Sequence, residues 1–220
     1  SYQATLDIDH HVGAPDIIGE TPIARLPLSA LTYIYPSRYC QSDRLSLLAM
    51  QEFGHLSKGY RRVEAIRNWV QRQVTFKSAT SSSTTSALDT LTDRVGVCRD
   101  FAHLMIAICR ALSIPARFTT GIDYGADPAL GPTDFHAYVE VFLDYRWYLF
   151  DPSGTAIPMG FVRLGTGRDA ADVSYATIFG SATSPPPLIS VRALTEPGRP
   201  WELPRHRLEA LSTDAAVNPL

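Results

Sequence analysis

Three side chains of this 220-residue chain combine the types and settings that covalent acyl transfer needs: Cys98, His136 and Asp151. Cys98 follows Val95-Gly96-Val97 and precedes a strongly apolar run to Leu112, which places it in the first turn of a helix that Pro115 ends. A thiol there faces unpaired backbone N–H groups and the positive end of the helix dipole, and both favour the thiolate. His136 begins a strand predicted over 135–143, and Asp144-Tyr145 reads as a tight turn into a second strand over 146–150. With those two residues as the hairpin loop, Leu143 faces Arg146, Tyr138 faces Asp151 and His136 faces Ser153. His136 and Asp151 then share a face as diagonal neighbours, their Cα atoms about 7–8 Å apart, within reach of a carboxylate–imidazole hydrogen bond. A slip of one residue would put them on opposite faces. Tyr138, Phe142, Trp147 and Leu149 line the face with His136 and Asp151, while Ala137, Val139, Val141, Tyr148 and Phe150 share the other. A helix laid on the first of these would bring Cys98 over the ring, giving a nucleophile, a base and an orienting carboxylate.

The elements that must hold these groups follow from periodicity. Residues 1–38 alternate weakly at Tyr2, Ala4, Leu6 and Ile8 and carry four prolines, a pattern of short strands and extended connections. Ser42 or Asp43 caps a helix from Arg44 to about Phe53, closed by Gly54. Tyr60, Val63, Ile66, Trp69 and Val70 recur at helical spacing, with Arg61, Arg62, Arg67 and Arg72 on the other side. Residues 78–86 are almost all Ser or Thr and read as a solvated connector before a short helix from Ala87 to about Asp93. From Ala116 strands take over, at 116–122, 135–143 and 146–150. Helices first and sheet second argues for an α+β fold. Ser184-Pro185-Pro186-Pro187 starts a stiff arm, 188–194 could add an edge strand, and residues 213–220 read as a frayed tail.

Several segments of this chain, taken in order, resemble the transglutaminase-like superfamily. They are Gly96-Val97-Cys98-Arg99-Asp100-Phe101-Ala102, then 110–117, then Asp134-Phe135-His136-Ala137-Tyr138-Val139-Glu140-Val141, then Trp147-Tyr148-Leu149-Phe150-Asp151-Pro152-Ser153, then 167–173. The resemblance spans about residues 85–174, and Tyr138 stands where many relatives carry Trp. It implies a papain-like, transglutaminase-core fold with helices packed on an antiparallel sheet and the nucleophile at a helix N-terminus. It also implies Cys98 as nucleophile, His136 as base and acid, and Asp151 as the orienting residue. The Cys98 backbone N–H is the natural first donor to an oxyanion, and hydroxyls within 81–86 are candidates for the second by resemblance of position. The expected organisation is an extended segment at 1–38, reminiscent of the N-terminal β domain that bacterial relatives often carry, a catalytic core at 39–182, and a Pro-rich arm and tail at 183–220.

Composition narrows the partners. Hydrophobic residues make up 45% and charged residues 19%, as in a chain that builds an ordinary core. Twenty basic against twenty-two acidic residues, with no basic run, argue against nucleic acid. The apolar run at 104–109 is far shorter than the ~20 residues of a bilayer span, so no membrane partner is expected. Three cysteines, an odd number, favour reduced thiols and a cytoplasmic setting. All but two of the basic residues, Lys58 and Lys77, are arginine, which suggests a bacterial genome rich in G and C. Cys40 and Cys109 read as spectator thiols, His103 as a structural histidine, and 165–171 as a turn rather than a dinucleotide loop. No C-x-x-C or H-E-x-x-H pattern occurs, so no metal and no cofactor are expected.

The reaction expected is hydrolysis of amide bonds in a peptide or protein substrate, a cysteine peptidase or amidase. Amine transfer, as by a transglutaminase or an arylamine N-acetyltransferase, is the alternative, and the latter is demoted because Gly96-Val97 replaces an Arg-Gly-Gly lead. A noncatalytic interaction module ranks last, since such members lose one of the three residues.

Overall fold

The computed structural model describes residues 2–125, 133–174, 176, 179–181, 183, 185, 187–195, 198 and 202–217. A short parallel pair, β2 (Thr75–Phe76) with β3 (Val95–Gly96), accompanies a central four-stranded antiparallel sheet in the order β6-β5-β4-β7, built from β4 (Ala116–Asp123), β5 (Phe135–Leu143), β6 (Arg146–Phe150) and β7 (Phe161–Gly167). The hairpin register is the one the two-residue turn demands: Leu143 pairs with Arg146 and Val139 with Phe150. Asp144 and Tyr145 adopt φ of 44° and 60°, the left-handed pair whose twist suits such a hairpin.

Helix α5 (Cys98–Ala111) is the hub, packed against the sheet on one side and α2 (Ser46–Phe53), α3 (Tyr60–Gln73) and α4 (Ala87–Asp93) around the rest. Everything from Asp100 to Arg110 is buried, as befits a helix that is covered all round. Its apolar side chains meet Ala137, Val139, Val141, Leu143, Tyr148 and Phe150 in one core. That is the opposite sheet face from the one expected. Both faces of the hairpin are apolar, so composition could not say which one the helix covers. The other face is closed by smaller clusters, Tyr138 and Leu149 with Phe161 and Leu211, and Phe142 and Trp147 with Leu26 and Ala30.

The termini depart most from expectation. Tyr2, Leu6 and Ile8 are exposed and unstranded, and only β1 (His11–Gly13) forms, against β8 (Ala210–Ser212). A helical turn, α1 (Leu28–Leu31), supplies Ala30 to the core where extended chain was expected. The described residues of 188–194 form no strand. The chain from Thr213 is not loose as far as Val217. Asp214 binds Arg117 and Arg163, and Val217 N–H donates to the Tyr145 carbonyl at 2.8 Å. Ser184, Pro186 and 218–220 lie outside the described residues.

Candidate active site

The site sits where three element ends meet. His136 is the second residue of β5, Asp151 follows the last residue of β6, and Cys98 is the first residue of α5. Because β5 and β6 are antiparallel, His136 and Asp151 fall at the same end of the sheet, and α5 begins there. Cys98 therefore meets the ring at the sheet's end rather than across its face.

Local sequence explains how α5 starts there. Asp100 Oδ2 accepts from the Val97 N–H at 2.9 Å, satisfying a donor at the helix entry. This needs Asp100 to lie against residue 96, where an added Cβ would come within 2.8 Å of the Asp100 Cβ, so Gly96 is required by contact. Asp100 Oδ1 accepts from Ser81 Oγ at 2.8 Å, and Arg99 binds both Ser81 Oγ and the Ser82 carbonyl. Together they fasten the Ser/Thr connector beside Cys98, so it is not the free loop its composition suggested. A second restraint comes from Tyr39. Its hydroxyl donates to the Ser83 carbonyl at 2.7 Å, and its N–H donates to Asp169 Oδ2 at 2.9 Å.

The hydroxyls of Ser81, Ser82, Thr84, Thr85 and Ser86 are all engaged by neighbours in this connector or by Asp100, Asp89 and Arg99. None of these five is thereby placed as a second oxyanion donor.

His136 is buried, with Nε2 3.3 Å from Asp151 Oδ1. The Cys98 thiol is the other group that favours the protonated ring. Burial alone would strip the ring of its proton, but the bond to Asp151 and the nearby Asp151 and Cys98 groups outweigh it, carrying His136 up to about 10. The Phe161 ring stacks on the imidazole at a centroid distance of 5.4 Å and on Tyr138 at 4.0 Å. Gly121 is paired with His136 across β4 and β5, and a Cβ there would strike the Val162 carbonyl at 2.5 Å.

Asp151 is held as firmly. Besides His136, Oδ1 accepts from Ser153 N–H at 2.9 Å and Ser153 Oγ at 2.6 Å, and Oδ2 accepts from Ala156 N–H at 3.0 Å. Burial pushes its carboxyl up, yet the imidazolium and these donors together keep it below the ordinary carboxylate range. Every bond it makes is as an acceptor, which predicts the outcome of Asp151→Asn. Either amide orientation points an NH₂ at an existing donor. The variant is expected to lose about 10²- to 10⁴-fold in turnover, the range for removal of an orienting carboxylate. Turnover within threefold of the parent would show that the carboxylate has no orienting role.

The remaining candidates are spectators by burial. Cys40 and Cys109 are fully buried, which pushes the Cys40 thiol up to about 12 and the Cys109 thiol further still. His103 is buried against Tyr39, its Nε2 accepting from Ala170 N–H at 3.2 Å. Burial and the Arg99 charge lower it to about 3, so it is neutral. This contact, the Asp169–Tyr39 bond and Arg110, which donates to the carbonyls of Tyr35, Ala116 and Arg168, fix the turn after β7. The sequence flagged 167–173 by resemblance, and its role is to hold Tyr39 and the connector. Among the described residues no three His, Cys, Asp or Glu side chains converge as metal ligands would, and no helix is long and apolar enough to cross a membrane.

Comparison with known proteins agrees with the geometry. Residues 49–152 match the transglutaminase-like superfamily. The crystal structure of a candidate cysteine protease from Cytophaga hutchinsonii is similar over 93% of this chain and 70% of its own, at 40% identity and a TM-score of 0.81. An uncharacterised protein of Mycobacterium leprae is 31% identical over 117 residues, 51% of this chain and 42% of that protein. One from Mycobacterium tuberculosis is 30% identical over 125 residues, 50% of this chain and 40% of that protein. The match thus spans less than half the length of these curated relatives. By its similarity to the Cytophaga structure and its matched core, the chain belongs to the transglutaminase-like superfamily.

Proposed function

We propose that this protein is a cysteine-dependent acyl-transfer enzyme that hydrolyses amide bonds in peptides or proteins. The observation that carries the reading is a partly exposed thiol at a helix start, at the same end of the sheet as a buried imidazole that a fully engaged carboxylate keeps protonated. Cys98 as thiolate attacks the amide carbonyl carbon, forming a C–S bond. As the tetrahedral adduct collapses, the C–N bond breaks and His136 gives its proton to the departing amine. Neutral His136 then takes a proton from water, whose oxygen attacks the thioester. The acid leaves, and the Cys98 thiolate and His136 imidazolium are restored. A primary amine in place of water would give transfer. The similarity to a candidate cysteine protease supports the hydrolytic choice.

The test is to incubate the protein with a glutamine-containing peptide and a labelled primary amine, before and after alkylation with iodoacetamide. Free acid is expected, and none once mass spectrometry shows Cys98 carboxamidomethylated. Label incorporation would replace hydrolysis by transfer, and full turnover by alkylated protein would end the cysteine mechanism.

A further inference from the structure

A hollow of about 570 Å³ opens between residues 38–44 and the outer side of α4. Its volume is that of a small-ligand site. Arg38, Tyr39, Gln41, Arg44, Thr84 and Asp89 supply its polar lining. Neither Arg38 nor Arg44 is ion-paired among the described residues, and both are exposed. The Arg38 guanidinium lies over the Tyr39 ring, 5.1 Å from its centroid. The one carboxylate present, Asp89, is occupied in accepting from the N–H and hydroxyl of Ser86 at 2.9 and 2.7 Å. Two guanidiniums against one engaged carboxylate leave an excess positive charge.

The hollow is joined to the candidate active site by short links. Tyr39, on its wall, holds the Ser83 carbonyl, and the Arg99 guanidinium lies 5.7 Å from the same ring. Arg99 directly follows Cys98. Thr84, on the rim, is three residues from Ser81, which bonds Asp100 at the start of α5. Three residues of extended chain span at most about 11 Å, so Thr84 lies no further than that from Ser81.

We propose that this hollow is a subsite for an acidic side chain of the peptide held at Cys98. The carboxylate would pair with Arg38 and Arg44 in charge-assisted hydrogen bonds. This rests on the peptide-cleaving reading, but binding can be measured without turnover. Fluorescein-labelled hexapeptides carrying one glutamate, scanned through each position, are titrated by anisotropy against the Cys98→Ala protein, alongside their glutamine isosteres. At one position the glutamate peptide is expected to bind about tenfold tighter at low salt, with the advantage shrinking as salt screens the charges. In the Arg38→Ala/Arg44→Ala background the advantage falls to twofold or less, and Arg44→Glu reverses it in favour of a lysine peptide. Arg72→Ala, on α3, leaves it intact. Equal binding of glutamate and glutamine peptides at every position, an advantage that survives the double substitution, or no peptide binding at all would overturn the proposal. Retained turnover by Cys98-alkylated protein would overturn only the catalytic reading.

Discussion

The Cys98→Ala protein is expected to fold as the parent does and to lose turnover by on the order of 10⁵-fold or more, as when a nucleophile is removed from a set of groups that act together. Folding should survive because position 98 is partly exposed at the first turn of α5, where alanine is a good helix former. The buried Cys40 and Cys109 cannot substitute, since burial holds both thiols protonated. A second readout separates loss of chemistry from general damage. His136 is kept protonated by Asp151 and by Cys98 together, so removing the sulfur removes one of its two supports. The His136 C2 proton in an NMR titration should then report a pKa below the parent's value of about 10. Activity within tenfold of the parent, in a protein whose spectrum is otherwise unchanged, would remove Cys98 from the mechanism.

His136→Ala is expected to cost as much, and to change the thiol itself. Because its pKa is raised, His136 stays protonated until pH approaches about 10, and the stability this contributes is fully present below 6.5 and lost as pH rises through about 10. Across the neutral range the sulfur therefore has a cation beside it, and the stability the pair contributes fades only on the alkaline side. Without the ring, iodoacetamide should alkylate Cys98 at pH 6 about 10- to 100-fold more slowly. In the parent, turnover should fall along an alkaline limb near 10, reporting the coupled pair rather than the ring alone. Alkylation as fast in the variant as in the parent at pH 6 would show that the imidazole does not activate the thiol.

Much of the site was legible because its positioning is local. A two-residue turn fixes the pairing of its strands, so the register of β5 and β6, and with it the proximity of His136 to Asp151, followed from counting outward from Asp144-Tyr145. The start of α5 was legible for a similar reason, since helix entry is set by residues within one turn. Gly96 and Asp100 meet there in direct contact.

Long-range contacts were not legible in this way. The sequence made the hairpin apolar on both faces, and only packing decided that α5 covers the side of Val139 and Val141, leaving Cys98 to meet His136 at the sheet's end. The serines and threonines at 78–86 bond locally and stay largely exposed, as their composition suggested, but the run is also fastened by residues distant in sequence. Its partners are Arg99 and Asp100, and Tyr39 held by Asp169, 130 residues away. Asp214 looked like part of a tail until folding brought Arg117 and Arg163 to it. Sequence determined the chemistry available and the short-range geometry, because turns and helix starts are governed by neighbouring residues. Tertiary structure decided which faces met and which loops were fastened, because those depend on partners that periodicity cannot identify.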